Sequence, residues 1–126
     1  MAFPSPAQNY AENRLDLNAI LKLSAHSHYF MICEGNYPLA GIIKGALLII
    51  DRSLDPVDGS TVIAEIDGGF EVRRLLLSPP TLLSLQENKE SIKLAVNEPL
   101  PVWGVISYVI NDLALSGFNT VCDPPS

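Results

Sequence analysis

The sequence predicts a mainly β domain of short, mostly antiparallel strands with one short helix near its N-terminal end. Three observations predict it. Asp67-Gly68-Gly69 lies between two β-rich runs, Thr61 to Ile66 and Phe70 to Leu77, which is a strong hairpin signal. Leu47 to Ile50 is an unbroken apolar run between a Gly- and Pro-containing loop and the acidic turn at Asp51, the pattern of a buried strand. The 10 prolines among 126 residues favour short strands and turns over long helices.

Taken in order, residues 1–13 are polar with Pro4 and Pro6 and read as an extended arm. Residues 14–110 read as the β domain and residues 111–126 as a C-terminal tail. Asp16 is placed to cap a helix over residues 17–23, in which Leu17, Ile20, Leu21 and Leu23 form an apolar stripe expected to pack on the core. Strands are expected near 29–34, 46–51, 61–66, 70–77 and 101–110. Two weaker ones follow the break at Pro79-Pro80, at Leu82 to Leu85 and Ile92 to Val96. In the last long strand Ile106, Tyr108 and Ile110 alternate, a stripe that reads either as ordinary core or as cover for a second copy.

Bulk properties exclude several functions. The net charge is −6 and no run of Lys or Arg reaches three residues, so no direct nucleic-acid partner is expected. Cys33 lies in an apolar strand and Cys122 in a polar tail, which suits reduced thiols rather than a disulfide. His26 and His28 form an i, i+2 pair with no third ligand nearby, so neither a metal nor any other cofactor is assigned. The sequence has no apolar run of the ~18 residues needed to span a bilayer and no signal-peptide start, so no membrane partner is expected and a cytoplasmic location is.

Three stretches carry a resemblance to a known family. Gly35-Asn36-Tyr37-Pro38 followed by Gly45-Ala46-Leu47-Leu48-Ile49-Ile50-Asp51 resembles the Gly-x-Ser-Met and Gly-Asp-Leu-Leu-Ile-Val-Asp of the self-cleaving peptidases of the LexA/UmuD type, family S24. Val72-Arg73-Arg74-Leu75 resembles that family's Val-Lys-Lys-Leu, and Val102-Trp103-Gly104-Val105-Ile106 its last strand. The most specific match, Phe3-Pro4-Ser5-Pro6-Ala7-Gln8-Asn9-Tyr10 with Glu12 and Asp16-Leu17-Asn18, is similar to the UmuD/MucA branch. The resemblance covers roughly residues 3 to 110 and implies a LexA/signal-peptidase-like β-clip core.

In that family the Ser of Gly-x-Ser-Met is the nucleophile and the first Lys of the strand its general base. Here those positions hold Tyr37 and Arg73. The base must be an amine able to shed its proton near neutral pH, and for an arginine this costs on the order of 7 to 9 kcal/mol, beyond what an ordinary site supplies. A tyrosine ionises at a cost of roughly 4 kcal/mol at neutral pH, and its oxygen lies several ångströms farther from the backbone than a serine oxygen. The expectation is therefore a pseudo-peptidase, with Tyr37 a packing or surface residue and Arg73 an ion-paired strand residue. Glu34, Glu65 and Glu71 are the candidate partners for Arg73, Glu71 being read as the weakest because strand neighbours point to opposite faces.

The family's arm is cut just ahead of Phe-Pro-Ser-Pro-Ala, and here only Met1-Ala2 precede that match, so a chain resembling the processed UmuD′ form is expected. The resemblance implies a homodimeric, catalytically inactive accessory subunit of an SOS-induced error-prone translesion DNA polymerase. Its implied partners are a UmuC-type Y-family polymerase and the RecA filament. Two alternatives are an active S24 self-cleaving serine peptidase and a regulatory dimerisation module that pairs with an active UmuD or LexA-type protein.

Overall fold

A computed structural model describes residues 16–119. The arm assigned to residues 1–13, and Cys122 in the tail, lie outside the described residues. Helix α1 (Leu17–Ile20) is followed by seven strands: β1 (His28–Ile32), β2 (Leu47–Asp51), β3 (Thr61–Ile66), β4 (Gly69–Leu77), β5 (Pro80–Ser84), β6 (Ile92–Lys93) and β7 (Val102–Ile110). They form one sheet in the order β1-β2-β7-β3-β4-β5-β6, with every neighbouring pair antiparallel. The mainly β expectation holds, and the five main strands fall within two residues of where the sequence places them.

The hairpin between β3 and β4 shows why the local signal works. Asp67 and Gly68 both have positive φ, 50° and 80°, the two-residue turn whose twist matches a hairpin and for which Asp-Gly is suited. Ile66 then pairs with Gly69, and further along Ile63 meets Val72 and Val62 meets Arg73 with its aliphatic stem.

The sheet has two buried faces. Cys33, Leu48, Ile50, Ile63, Val72 and Ile106 share one cluster, so β1 and β4, with three strands between them in the sheet order, curl towards each other around it. Val62, Ala64, Leu75, Leu82 and Val105 form the second cluster on the other face, closed by Ile92, Leu94 and Leu100 from the segment that follows β5. β2 sits inside the sheet with Leu48, Ile49 and Ile50 all fully buried, which is why its sequence is a continuous apolar run and not an alternating one.

Three expectations need correction. Helix α1 is a single turn, capped by the Asp16 carboxylate on the Asn18 amide at 3.0 Å, and it buries nothing: Leu17 and Ile20 are exposed. The chain leaves the helix through Lys22, whose φ is 54°, so the apolar spacing never continues far enough to form a core-facing stripe. The second weak strand is only two residues long: Leu94 still donates to the Pro80 carbonyl at 2.9 Å, but no strand pairing continues beyond it, and Leu94 and Leu100 pack against the second cluster.

The third correction concerns Ile106, Tyr108 and Ile110, which do not share a face. Ile49 pairs with Tyr108 but the next residue, Ile50, pairs with Ile106, leaving Ser107 as the extra residue of a bulge whose hydroxyl donates to the Ile49 carbonyl at 3.1 Å. Ile106 therefore joins the core, whereas Tyr108 and Ile110 point to the opposite side.

Candidate functional site

The loop between β1 and β2 carries the first of the two positions singled out by sequence. Tyr37 precedes a 3₁₀ turn (Pro38–Ala40), where Pro38 at the first helical position suits the start of a helix. Its backbone is locked by reciprocal hydrogen bonds with Ile42, N to O at 2.9 Å and O to N at 3.1 Å. The side chain folds inward rather than to solvent. Only 8% of Tyr37 is exposed, its ring edge lies against Gly35, and its phenol hydrogen-bonds the Val72 backbone of β4. Burial pushes the phenol above its ordinary value, against the partial offset of that hydrogen bond.

β4 carries the second position. Arg73 is 3% exposed, and each nitrogen of its guanidinium is committed. Nη2 donates to Glu71 Oε1 at 3.0 Å and Nε to the same oxygen at 3.3 Å; Nη1 donates to the Glu90 carbonyl at 2.7 Å and to the Leu82 carbonyl at 3.4 Å. Lys89 adds a second cation to Glu71 at 3.7 Å. Of the three candidate partners the structure selects Glu71, the one read as weakest, because residues 71 and 73 are two apart on a strand and so share a face. Tyr37 and Arg73 are thus brought to one neighbourhood, the first touching β4 at Val72 beside the second, but they make no hydrogen bond to each other.

A cleft of about 400 Å³ opens beside Tyr37, lined by Met31 and Cys33 from the β1 side and by Phe70, Glu71 and Val72 from β4. Leu48 and Ile63 also line it, and Glu34 and Glu71 contribute acidic groups. Cys33 is buried, with its thiol donating to the Gly35 carbonyl at 3.2 Å. Burial, to which the Glu34 carboxylate adds, pushes that thiol up, so it is a poor nucleophile at neutral pH.

A second constellation escaped the sequence reading. His28 Nε2 lies 3.4 Å from Asp51 Oδ2, and Ser27 Oγ lies 3.3 Å from His28 Nδ1, a serine–histidine–aspartate line. It is not wired as a base. Nδ1 accepts the Ser24 amide at 2.8 Å, so its lone pair is already occupied, while Nε2 faces the Asp51 carboxylate. Asp51 also accepts the Ser53 amide at 2.9 Å and the Ser53 hydroxyl at 2.6 Å, and that hydroxyl is the main cause of its depressed pKa. The trio ties the turn before β1 to the end of β2. His28 is spoken for by Asp51, and the described residues contain no cluster of three or more metal-ligating side chains. No described helix is long and apolar enough to cross a membrane.

An antiparallel sheet curled around a cleft, with one functional position on the loop before β2 and the other on β4, is a peptidase-type β domain. The chain belongs to the Peptidase S24-like family, which it matches over residues 1–107. It is 39% identical over 110 residues to Protein ImpA of Salmonella typhimurium, covering 86% of this chain and 76% of that one. Protein SamA of the same species is 34% identical over 110 residues, covering 86% of this chain and 77% of that one, and Protein MucA of Escherichia coli is 36% identical over 109 residues, covering 84% and 75%. The resemblance to the UmuD/MucA branch read from the Phe3-Pro4-Ser5-Pro6 segment is borne out by these relatives.

Proposed function

We propose that this chain is a non-cleaving, UmuD′-like accessory subunit of a damage-induced, error-prone translesion DNA polymerase. It acts in the cytoplasm as a homodimer with a UmuC-type polymerase. Family membership and the relatives ImpA, SamA and MucA support the mutagenesis role. One observation carries the loss of cleavage: the guanidinium at the base position is fully engaged by Glu71, Glu90 and Leu82 beneath a buried phenol at the nucleophile position. A group with no lone pair cannot take a proton, and a phenol whose pKa is raised by burial is harder to ionise than a free one.

Two measurements test the reading. Wild-type protein is incubated with an arm-bearing UmuD substrate whose own dyad has been removed, with activated RecA, and the products are weighed by mass spectrometry; the substrate stays intact. Capture of the tagged protein from cells treated with a DNA-damaging agent then retrieves a Y-family polymerase. Capture of an active UmuD or LexA-type protein in place of the polymerase would replace the accessory reading with the regulatory-dimer one.

A further inference from the structure

Three aromatic rings stand in a row at one end of the curled sheet, apart from the two family positions. Tyr29, Trp103 and Phe70 lie near the starts of β1, β7 and β4, strands that run in the same direction with β2 and β3 between them. In a flat sheet, strands two places apart are separated by about 9 to 10 Å. Here the ring centroids of Tyr29 and Trp103 are 5.4 Å apart and those of Phe70 and Trp103 5.8 Å, so the curl closes the row. Trp103 reaches it through a bulge: Ile63 pairs with Gly104 and Ala64 with Val102, leaving Trp103 as the extra residue of β7. Tyr29 is 42% exposed and Phe70 53%, and the rings meet at 66° and 58°, so the row offers ring edges and ring faces in turn.

Each end of the row carries one exposed charge. Arg52, the residue after β2, lays its guanidinium over the Trp103 ring at 4.4 Å from the centroid, and its Nε donates to the Trp103 carbonyl at 2.8 Å. Among the described residues neither of its Nη atoms has a hydrogen-bond or carboxylate partner. The cation is thus fixed in place with its two outer nitrogens free. Glu65 pairs with Phe70 across β3 and β4 and so shares its face. It is exposed and, among the described residues, in no ion pair.

We propose that this row is a docking site for an extended segment of a partner protein, Pro-x-x-Pro in pattern, with an acidic residue flanking it at the Arg52 end. The steps of 5.4 and 5.8 Å along the row are together on the scale of one polyproline II turn, about 9 Å for three residues. Prolines three apart therefore rest on the outer rings, Tyr29 and Phe70, with Trp103 beneath the turn between them. Such a segment is already extended when free, so fixing it on aromatic side chains costs little entropy. The free Nη pair then receives the flanking carboxylate. A nucleic-acid strand suits the surface poorly, because its phosphates would meet the Glu65 carboxylate on a chain of net charge −6. The site stands apart from Tyr37 and Arg73 and does not depend on whether the chain cleaves.

The test is an array of amidated Pro-x-x-Pro peptides, with Asp, Glu, Ala or Lys on either flank and every residue tried at x, probed with the full chain. The tightest peptide, labelled with fluorescein, is then titrated by anisotropy. Peptides with an Asp or Glu flank should be retained and their Lys-flanked counterparts lost. Arg52→Gln and Phe70→Ser should each weaken binding about 10-fold or more, whereas Leu115→Ser, an exposed apolar residue beyond β7, should leave it unchanged. Arg52→Glu should shift the preference to the Lys-flanked peptides.

An array that retains no peptide overturns the proposal, as does one that retains acidic and Lys flanks alike. Binding that survives Arg52→Gln and Phe70→Ser, or that Leu115→Ser weakens equally, places the contact elsewhere and also overturns it. A single-stranded oligothymidylate that binds more tightly than every peptide would replace the peptide with nucleic acid. If Phe70→Ser loses its β circular-dichroism spectrum, Phe70→Leu, which removes the ring and keeps an apolar side chain, takes its place in the titration.

Discussion

Arg73 and Glu71 face each other from alternate positions of β4, the guanidinium donating twice to a single carboxylate oxygen at 3.0 and 3.3 Å while its third nitrogen holds the 82 and 90 carbonyls. The pair anchors the polar 86–91 segment to the sheet. Arg73→Ala should therefore destabilise the fold by about 2 to 3 kcal/mol, since it strands a partly buried carboxylate and two carbonyls that lose their donor. Arg73→Lys should recover part of that loss, because a point cation cannot reach the carboxylate and both carbonyls at once. Urea unfolding followed by Trp103 fluorescence measures both, and an Arg73→Ala protein as stable as wild type would refute the anchor.

The same geometry bears on activity. Tyr37→Ser alone supplies a hydroxyl but leaves no base, and Arg73→Lys alone supplies an amine but leaves no serine, so neither should cleave an arm-bearing substrate above background. The double variant should show at most a trace, since a misplacement of one ångström costs ~100-fold and Pro38 shapes the loop differently from the family's Met. Mass analysis of the substrate after incubation with activated RecA reads all three; robust cleavage by either single variant would overturn the two-group account.

Tyr37 itself is a packing residue. Replacing it by Ser removes a buried ring and should cost about 3 kcal/mol or more, whereas Tyr37→Phe loses only the hydrogen bond to Val72 and should cost about 1 kcal/mol. Equal losses for the two variants in thermal unfolding would show that the ring contributes nothing.

Asp51 gives the fold an acid limit. Its carboxyl is held below the usual carboxylate range, chiefly by the Ser53 hydroxyl, with the Ser53 amide and His28 adding to the effect. A carboxyl depressed in the folded state stabilises fully above the unfolded value of about 4, and that contribution fades as pH falls below it towards the folded value. Asp51→Asn should cost about 1 to 2 kcal/mol at pH 7, and the gap from wild type should narrow as pH falls below about 4. A gap that widens with acid would contradict the sign.

Gly104 is required for close approach. A Cβ at this position would lie 2.5 Å from Ile50 Cγ2 and 3.3 Å from Arg52 Cγ, where the Ile50 side chain is held by the core and Arg52 by its contact with Trp103, 4.4 Å from the ring centroid. Gly104→Ala should cost about 1 to 3 kcal/mol through overpacking, read as a lowered melting temperature.

The local signals were complete for the parts of this protein that depend on nearby residues. Asp67-Gly68 dictates its own hairpin because both residues accept positive φ, and the run Leu47 to Ile50 declares an interior strand because only a strand buried on both faces is apolar throughout. The two family positions, Tyr37 and Arg73, were legible as residues. Their surroundings were not. The Glu90 and Leu82 carbonyls that engage Arg73, and Asp51 at the far end of β2 that faces His28, are set by contacts between different elements of the chain, which no period or turn signal encodes.

The clearest divide is at Ser107. Alternation along residues 106–110 predicts one apolar stripe, and a regular strand would give it, but pairing with β2 inserts one extra residue and reverses the direction of every side chain beyond it. Sequence alone established that Ile106, Tyr108 and Ile110 are apolar and lie in a strand; which of them face the core and which face outward was decided only by the hydrogen-bond register with Ile49 and Ile50, because register belongs to the pair of strands and not to either one.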